Sequence, residues 1–211
     1  MPTVAQRPCA KLLLTTFVAL LAAALLATGC GGGNSGPGGS PNPVRAFFRA
    51  SGSATTPNFV RLKGRVVTDK RVIVDVVMGG ASTNQDLYSF AFDIIISNTT
   101  VAEFVPGSGS FGTVLTLTGS QGSSVQAAQV GRRVIIGVTK TGGGSGNGIG
   151  AGEPAIVSLS FRILAKGTAT LSFAGSPANP QNPTNDPAAL DSAVQVVSSV
   201  RFDAALASIG G

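Results

Sequence analysis

The sequence predicts an all-β fold, a sandwich or jelly roll of eight to ten short strands. Three observations carry this. Apolar and polar residues alternate with period two in run after run. The alternation is clearest at residues 156–163, where Val157, Leu159, Phe161 and Ile163 share one face and Ser158, Ser160 and Arg162 the other. Clusters of Gly, Pro, Asn and Asp punctuate these runs about every eight to twelve residues. No stretch shows sustained helical periodicity.

Residues 1–29 read as a targeting segment rather than as structure. Arg7 and Lys11 give a positive start, and residues 12–26 form an apolar run. That run has the length of a signal-peptide core and is short for a membrane span. It ends Leu26-Ala27-Thr28-Gly29-Cys30. Residues 31–43 contain almost nothing but Gly, Pro, Ser and Asn. With no apolar side chain to bury, this stretch is a flexible tether with a reach on the order of 20 Å. The linker is taken as residues 30–58 and the folded domain as 59–205. Phe47 and Phe48 lie in the linker and could dock on the domain or start an edge strand.

Strands are expected at residues 59–67 and 71–78, followed by a loop over 79–86. The next run, 87–97, places Tyr88, Phe90, Phe92, Ile94 and Ile96 on one face. This is the heaviest apolar stripe in the chain and is expected to be central core, Tyr88 included. Shorter strands are expected at 101–105, 113–118 and 124–130. Residues 133–139 alternate again, and a loop rich in glycine follows at 141–152. This loop is expected to be a mobile rim. Strands at 156–163 and 168–173, a proline-rich loop at 175–187 and a last strand at 194–204 complete the chain.

Composition narrows the function. Of 211 residues, 43% are hydrophobic and only 11% charged, which fits an exported, folded protein. Histidine is absent, and the two cysteines, Cys9 and Cys30, both precede the domain. The commonest general base, the commonest transition-metal ligand and any disulfide framework within the domain are therefore missing. The net charge is +6 from 15 basic and 9 acidic residues, or +4 without Arg7 and Lys11. Arg61, Lys63, Arg65, Lys70 and Arg71 form a modest cluster, read as a solvated face. No nucleic-acid motif or interleaved aromatics accompany it, so no nucleic-acid partner is expected.

Other sharp readings fail on spacing. The glycine loop lacks a Gly-x-Gly-x-x-Gly pattern, and no Gly-Lys-Ser/Thr follows, so a phosphate cradle is not predicted. No local motif selects two carboxylates for glycoside hydrolysis, and the serines lack an activating partner in sequence. The protein is therefore expected not to be an enzyme, and no cofactor is expected. Asp186 and Asp191, with Asn182 and Asn185, carry the oxygens that a structural calcium takes. Their spacing does not match an EF-hand loop, and Asn185-Asp186-Pro187 reads first as a turn. With no Trp and a single Tyr, a flat aromatic platform for polysaccharide is not expected.

Two resemblances add to this. Leu26 to Cys30 resembles the lipobox of bacterial lipoproteins, although Ala27 stands where that motif usually has Leu. The resemblance implies that Cys30 is lipidated and becomes the first residue of the mature chain. The protein would then be exported and anchored to the cell envelope, at the outer membrane or cell surface. Further on, the run Tyr88-Ser89-Phe90-Ala91-Phe92-Asp93-Ile94-Ile95-Ile96 through Val101-Ala102-Glu103-Phe104-Val105 resembles the second and third strands of cohesin domains. Val134-Ile135-Ile136-Gly137-Val138, Ile156 to Phe161 and Lys166-Gly167-Thr168-Ala169-Thr170-Leu171 resemble later cohesin strands. Ser97-Asn98-Thr99 departs from the Tyr-Asp-Pro usual there. The resemblance covers roughly residues 59 to 205. It implies a nine-stranded jelly roll that binds a dockerin-like or other envelope protein, in polysaccharide degradation or surface assembly. The related carbohydrate-binding modules keep open the alternative that the domain binds polysaccharide directly.

Overall fold

The computed structural model describes residues 43–50, 57–79, 82–149, 152–175 and 187–211. The targeting segment, Cys30 and the tether as far as Asn42 lie outside the described residues, as do the calcium candidates Asn182, Asn185 and Asp186.

The described chain is all strand and loop. Its strands are β1 (Phe47–Arg49), β2 (Phe59–Thr68), β3 (Arg71–Gly79), β4 (Ser82–Leu87), β5 (Ser89–Ile96), β6 (Ala102–Phe104), β7 (Ser110–Phe111) and β8 (Gly122–Val130). There follow β9 (Arg133–Thr141), β10 (Asn147–Ile149), β11 (Ala155–Ile163), β12 (Thr168–Phe173), β13 (Ala188–Leu190), β14 (Arg201–Phe202) and β15 (Ala207–Gly210). One main sheet runs β1-β15-β12-β5-β9-β8, with β13 also paired to β5. The other runs β14-β2-β3-β11-β6, with β7 also paired to β11. Strands β4 and β10 form a small third sheet.

The alternation in sequence becomes the core. Phe90, Phe92, Ile94 and Ile96 of β5 and Val134, Ile136 and Val138 of β9 point inward from the first sheet. Val72, Val74 and Val76 of β3 and Leu159, Phe161 and Ile163 of β11 meet them from the second. Phe92 and Phe173 of the first sheet pack on Phe202 of β14, with ring centroids 5.2 to 5.7 Å apart. Edge-to-face aromatic contact adds to the area buried there.

Several expectations are corrected. Residues 79–86 are not all loop, because Ser82–Leu87 is a strand paired with Asn147–Ile149 of the glycine loop. Turn-prone residue types hid both partners, and cross-strand pairing overrode local propensity. Residues 113–118 form no strand. Val114 and Leu115 are both buried, and the Val114 amide donates to the Ala155 carbonyl at 2.8 Å outside any strand ladder. The pairing there falls to β7, just upstream. Residues 194–204 are not one strand either: Val194 has φ 62° and is exposed, Val196 makes an isolated antiparallel bridge to Leu190, and Arg201–Phe202 pairs in parallel with β2. The last strand, Ala207–Gly210, lies beyond the predicted stretch and pairs with β12 and β1. The folded body thus includes strands on both sides of residues 59–205. Phe47–Arg49 is an edge strand, and Phe48 packs partly buried against the core.

Candidate binding face

The outward surface of β8, β9 and β5 is set by the same alternation that fills the core. When Val134, Ile136 and Val138 point in, Ile135, Gly137 and Thr139 must point out. Cross-strand register places Ala128 beside Ile135 and Gln126 beside Gly137 on one side. On the other side Ala91 faces Gly137 and Asp93 faces Ile135. The result is a patch of mostly uncharged side chains, with Ile135 48% and Val130 64% exposed. Its charges are Asp93 and Arg133, joined by a 2.7 Å ion pair. Gly137 lies near the middle. A Cβ there would meet nothing within 4 Å, so no packing neighbour explains the glycine. Glycine inside a strand often marks close approach by another chain, and here it leaves a shallow trough across the face.

The outward surface of the second sheet differs. The basic cluster read from the sequence lies mainly on it and is largely matched by carboxylates. Arg61 pairs with Glu153, which Lys63 also approaches at 3.5 Å. Arg65 stands 3.9 Å from Asp75, whose other oxygen accepts from the Ser158 hydroxyl. Arg71 donates to the Ser160 hydroxyl at 3.0 Å, and Arg162 to Glu103 at 2.8 Å. This surface is internally compensated; the solvated reading fits Lys63 and Arg65, which are mostly exposed, but not Arg61, whose pair with Glu153 is largely buried. The sandwich therefore carries one charged face and one nearly uncharged face.

A polar corner sits where the glycine loop meets the first sheet. Lys140, near the end of β9, points inward and is only 2% exposed. Its ammonium donates to the Asn147 side-chain oxygen at 2.6 Å and to the Ser145 carbonyl at 3.0 Å, and lies 5.8 Å from the centre of the Tyr88 ring. Tyr88 donates its hydroxyl to the Gly142 carbonyl. Gln121 donates to the Gly143 carbonyl at 3.3 Å. Asp86 accepts from the Gly146 amide and from the Ser192 hydroxyl and amide. A Cβ on Gly146 would collide with Asp86, so that position in the loop needs glycine for close approach.

This geometry corrects two expectations. Tyr88 is not core. It sits half-buried at the break between β4 and β5, where Leu87 takes the buried place. The glycine loop is not a free rim over residues 142–147, because Tyr88, Gln121, Lys140 and Asp86 hold it. None of these contacts was visible as a local pattern. The partners are up to 60 residues apart, as in Gly146 with Asp86. Burial pushes the Lys140 ammonium below its ordinary pKa, opposed by the charge of Asp86. The Ser192 hydroxyl, with the Gly146 and Ser192 amides, holds Asp86 below the usual carboxylate range against the effect of burial.

Two further carboxylates serve local structure. Asp191 accepts from the amides of Ala193 and Gln195 at 2.9 and 2.7 Å. Asp203 accepts from the Ala205 amide at 2.8 Å. Among the described residues, no three acidic, cysteine or histidine side chains are grouped to hold a metal ion. Nor is any helix there long and apolar enough to cross a membrane.

No protein-family model matches the chain, and neither does any curated protein. Solved structures do. The chain is similar to the second type II cohesin module of the adaptor ScaA scaffoldin of Acetivibrio cellulolyticus. Identity is 16% over 68% of this chain and 84% of that one, with a TM-score of 0.45. It is similar to a type II cohesin–X-dockerin complex from the same organism, at 14% identity over 69% and 92% of the two chains and a TM-score of 0.45. It is also similar to the type II cohesin dyad of ScaA, at 14% identity over 71% and 48% and a TM-score of 0.49.

Proposed function

We propose that the protein is a non-catalytic binding module of the cell envelope that presents the β8–β9–β5 face to a protein partner of dockerin type. The single observation that supports this most is the contrast between the two sheet surfaces. One is laced with ion pairs. The other is nearly uncharged and interrupted at its centre by Gly137, for which the fold gives no packing reason. Burying such a face against a partner strips few charged groups of water. The cohesin-like order of landmarks in the sequence names the partner class. The lipobox-like ending at Cys30 and the Gly/Pro/Ser stretch after it support a lipid anchor followed by a tether.

The test is titration of the purified protein against dockerin modules encoded in the same genome, followed by calorimetry. The expected result is saturable binding that Ile135→Arg abolishes and that Lys63→Glu, on the opposite face, leaves intact. Absence of binding to every dockerin, or equal loss with both variants, would refute this reading. The anchor is tested separately. Cys30→Ala is expected to release the protein from membranes and to end incorporation of labelled palmitate.

A further inference from the structure

The two main sheets end in four edges, and three of them are short. β1 has three residues, β14 has two, and the edge beside β11 is split between β6, with three residues, and β7, with two. The fourth edge is β8. It runs nine residues, Gly122-Ser-Ser-Val-Gln-Ala-Ala-Gln-Val130, with no charge and no proline. Its register with β9 is unbroken by any bulge. Natural sheets blunt exposed edges with short strands, bulges, prolines or charges. β8 uses none of these, and among the described residues no other strand pairs with it.

The turn fixes which backbone groups face outward. Gly131, φ 59°, and Arg132 form a two-residue loop joining β8 to β9. A glycine at the first central position with positive φ is the II′ signature, so the flanking Val130–Arg133 pair is hydrogen-bonded. Alternation then turns the N–H and C=O groups of Ser124, Gln126 and Ala128 toward β9. Those of Ser123, Val125, Ala127 and Gln129 point to the free edge.

We infer that this edge pairs with β8 of a second copy, antiparallel about a two-fold axis at Gln126. In that register Val125 meets the partner's Ala127, and Ser123 meets the partner's Gln129, each as a hydrogen-bonded pair. Gln126 faces its own equivalent across the axis. All nine residues find a partner, and no like charges are opposed because β8 has none. An edge that pairs with itself in register is the isologous contact that closes a dimer rather than seeding a filament. Because the pairing joins the two sheets through β8, the dimer carries one continuous surface made of two such faces. The inference stands independently of what that face binds.

Two differently tagged copies of the full-length chain are co-expressed, extracted in detergent and captured through one tag. Wild-type copies are expected to co-purify. Gln126 is exposed, so charge there should not disturb the fold, and unchanged thermal melting checks this. With Gln126→Lys in both copies, co-capture should fall several-fold. With Gln126→Lys in one copy and Gln126→Glu in the other, it should recover. Ala127→Pro, which removes an edge-facing N–H without touching the β9 ladder, should also lower it. The proposal is overturned if wild-type copies do not co-purify, if the double-lysine pair matches wild type, or if the lysine–glutamate pair fails to recover.

Discussion

Lys140 is where residue-level chemistry departs furthest from the sequence. Its place in the alternation of β9 marks it as inward-facing, but a lysine near a strand end is easily read as solvated. In the fold its stem is buried and its ammonium donates to the Ser145 carbonyl and the Asn147 side-chain oxygen. Replacing Lys140 with Met keeps the bulk and removes the donor. We expect the amides of residues 142–147 to lose about tenfold or more of their hydrogen-exchange protection while the core strands keep theirs. The pH dependence follows from the direction of each shift. Lys140 binds its proton less tightly folded than unfolded, so its contribution to stability rises with pH between its lowered value and the ordinary lysine value. Asp86 has a lowered carboxylate pKa, so its contribution is complete above the ordinary carboxylate range and is lost as pH falls through the lowered value. Asp86→Asn should therefore flatten the acid limb of a melting-temperature profile, and Lys140→Met the alkaline limb.

At the scale of elements, two glycines make opposite predictions. Gly64 of β2 lies under Phe48 of β1, and a Cβ there would collide with the ring. Gly64→Val should expel Phe48 and cost about 1–3 kcal/mol in denaturant unfolding, as overpacking does. Gly137 has open space instead, and its φ is not positive. Gly137→Val should leave the fold intact and raise stability by about 0.5–1 kcal/mol, because valine suits a strand and glycine does not. Loss of stability on that change would show that the trough is filled from within. The long strands were legible because their apolar stripes repeat over seven or more residues, as in Phe90, Phe92, Ile94 and Ile96. The short ones were not. Asn147–Ile149 and Ala207–Gly210 are strands because β4 lies opposite the first and β12 and β1 flank the second. A pairing set by distant residues leaves no local period to read.

At the scale of the molecule, the sandwich is joined by side chains that cross between sheets. The ring cluster of Phe92, Phe173 and Phe202 is the clearest case. Phe202→Ala should cost about 3–5 kcal/mol, read from a shifted denaturant midpoint with the same slope. Ile135→Arg on the outward face should change stability by no more than about 0.5 kcal/mol, so any loss of partner binding would be separable from unfolding. Sequence alternation told inside from outside on both sheets. It could not tell which outside was charged and which was bare, since Glu153 reaches Arg61 and Lys63 only once the chain has folded.

The pairing of β1 with β15 has a mechanical side. A pull transmitted through residue 43 enters the body at β1, whose ladder is three pairs long, Phe47 with Gly210, Phe48 with Ile209 and Arg49 with Ser208. Behind it β15 is held by a four-pair ladder to β12, β12 by three pairs to β5 within the buried sheet, and β5, β9 and β8 by ladders of seven and nine pairs. Under load β1 should part first. It would draw Phe48 off Gly64 and pay out its own length of chain before the core feels the strain. The strand is in effect a slip joint, seated by Phe48 on Gly64 and, just upstream, by Val44 and Ala46 against the core and by the Ala46 amide, which donates to the Asp69 carbonyl at 2.8 Å. Its release force should drop with Phe48→Ala while the force that unravels the core stays the same.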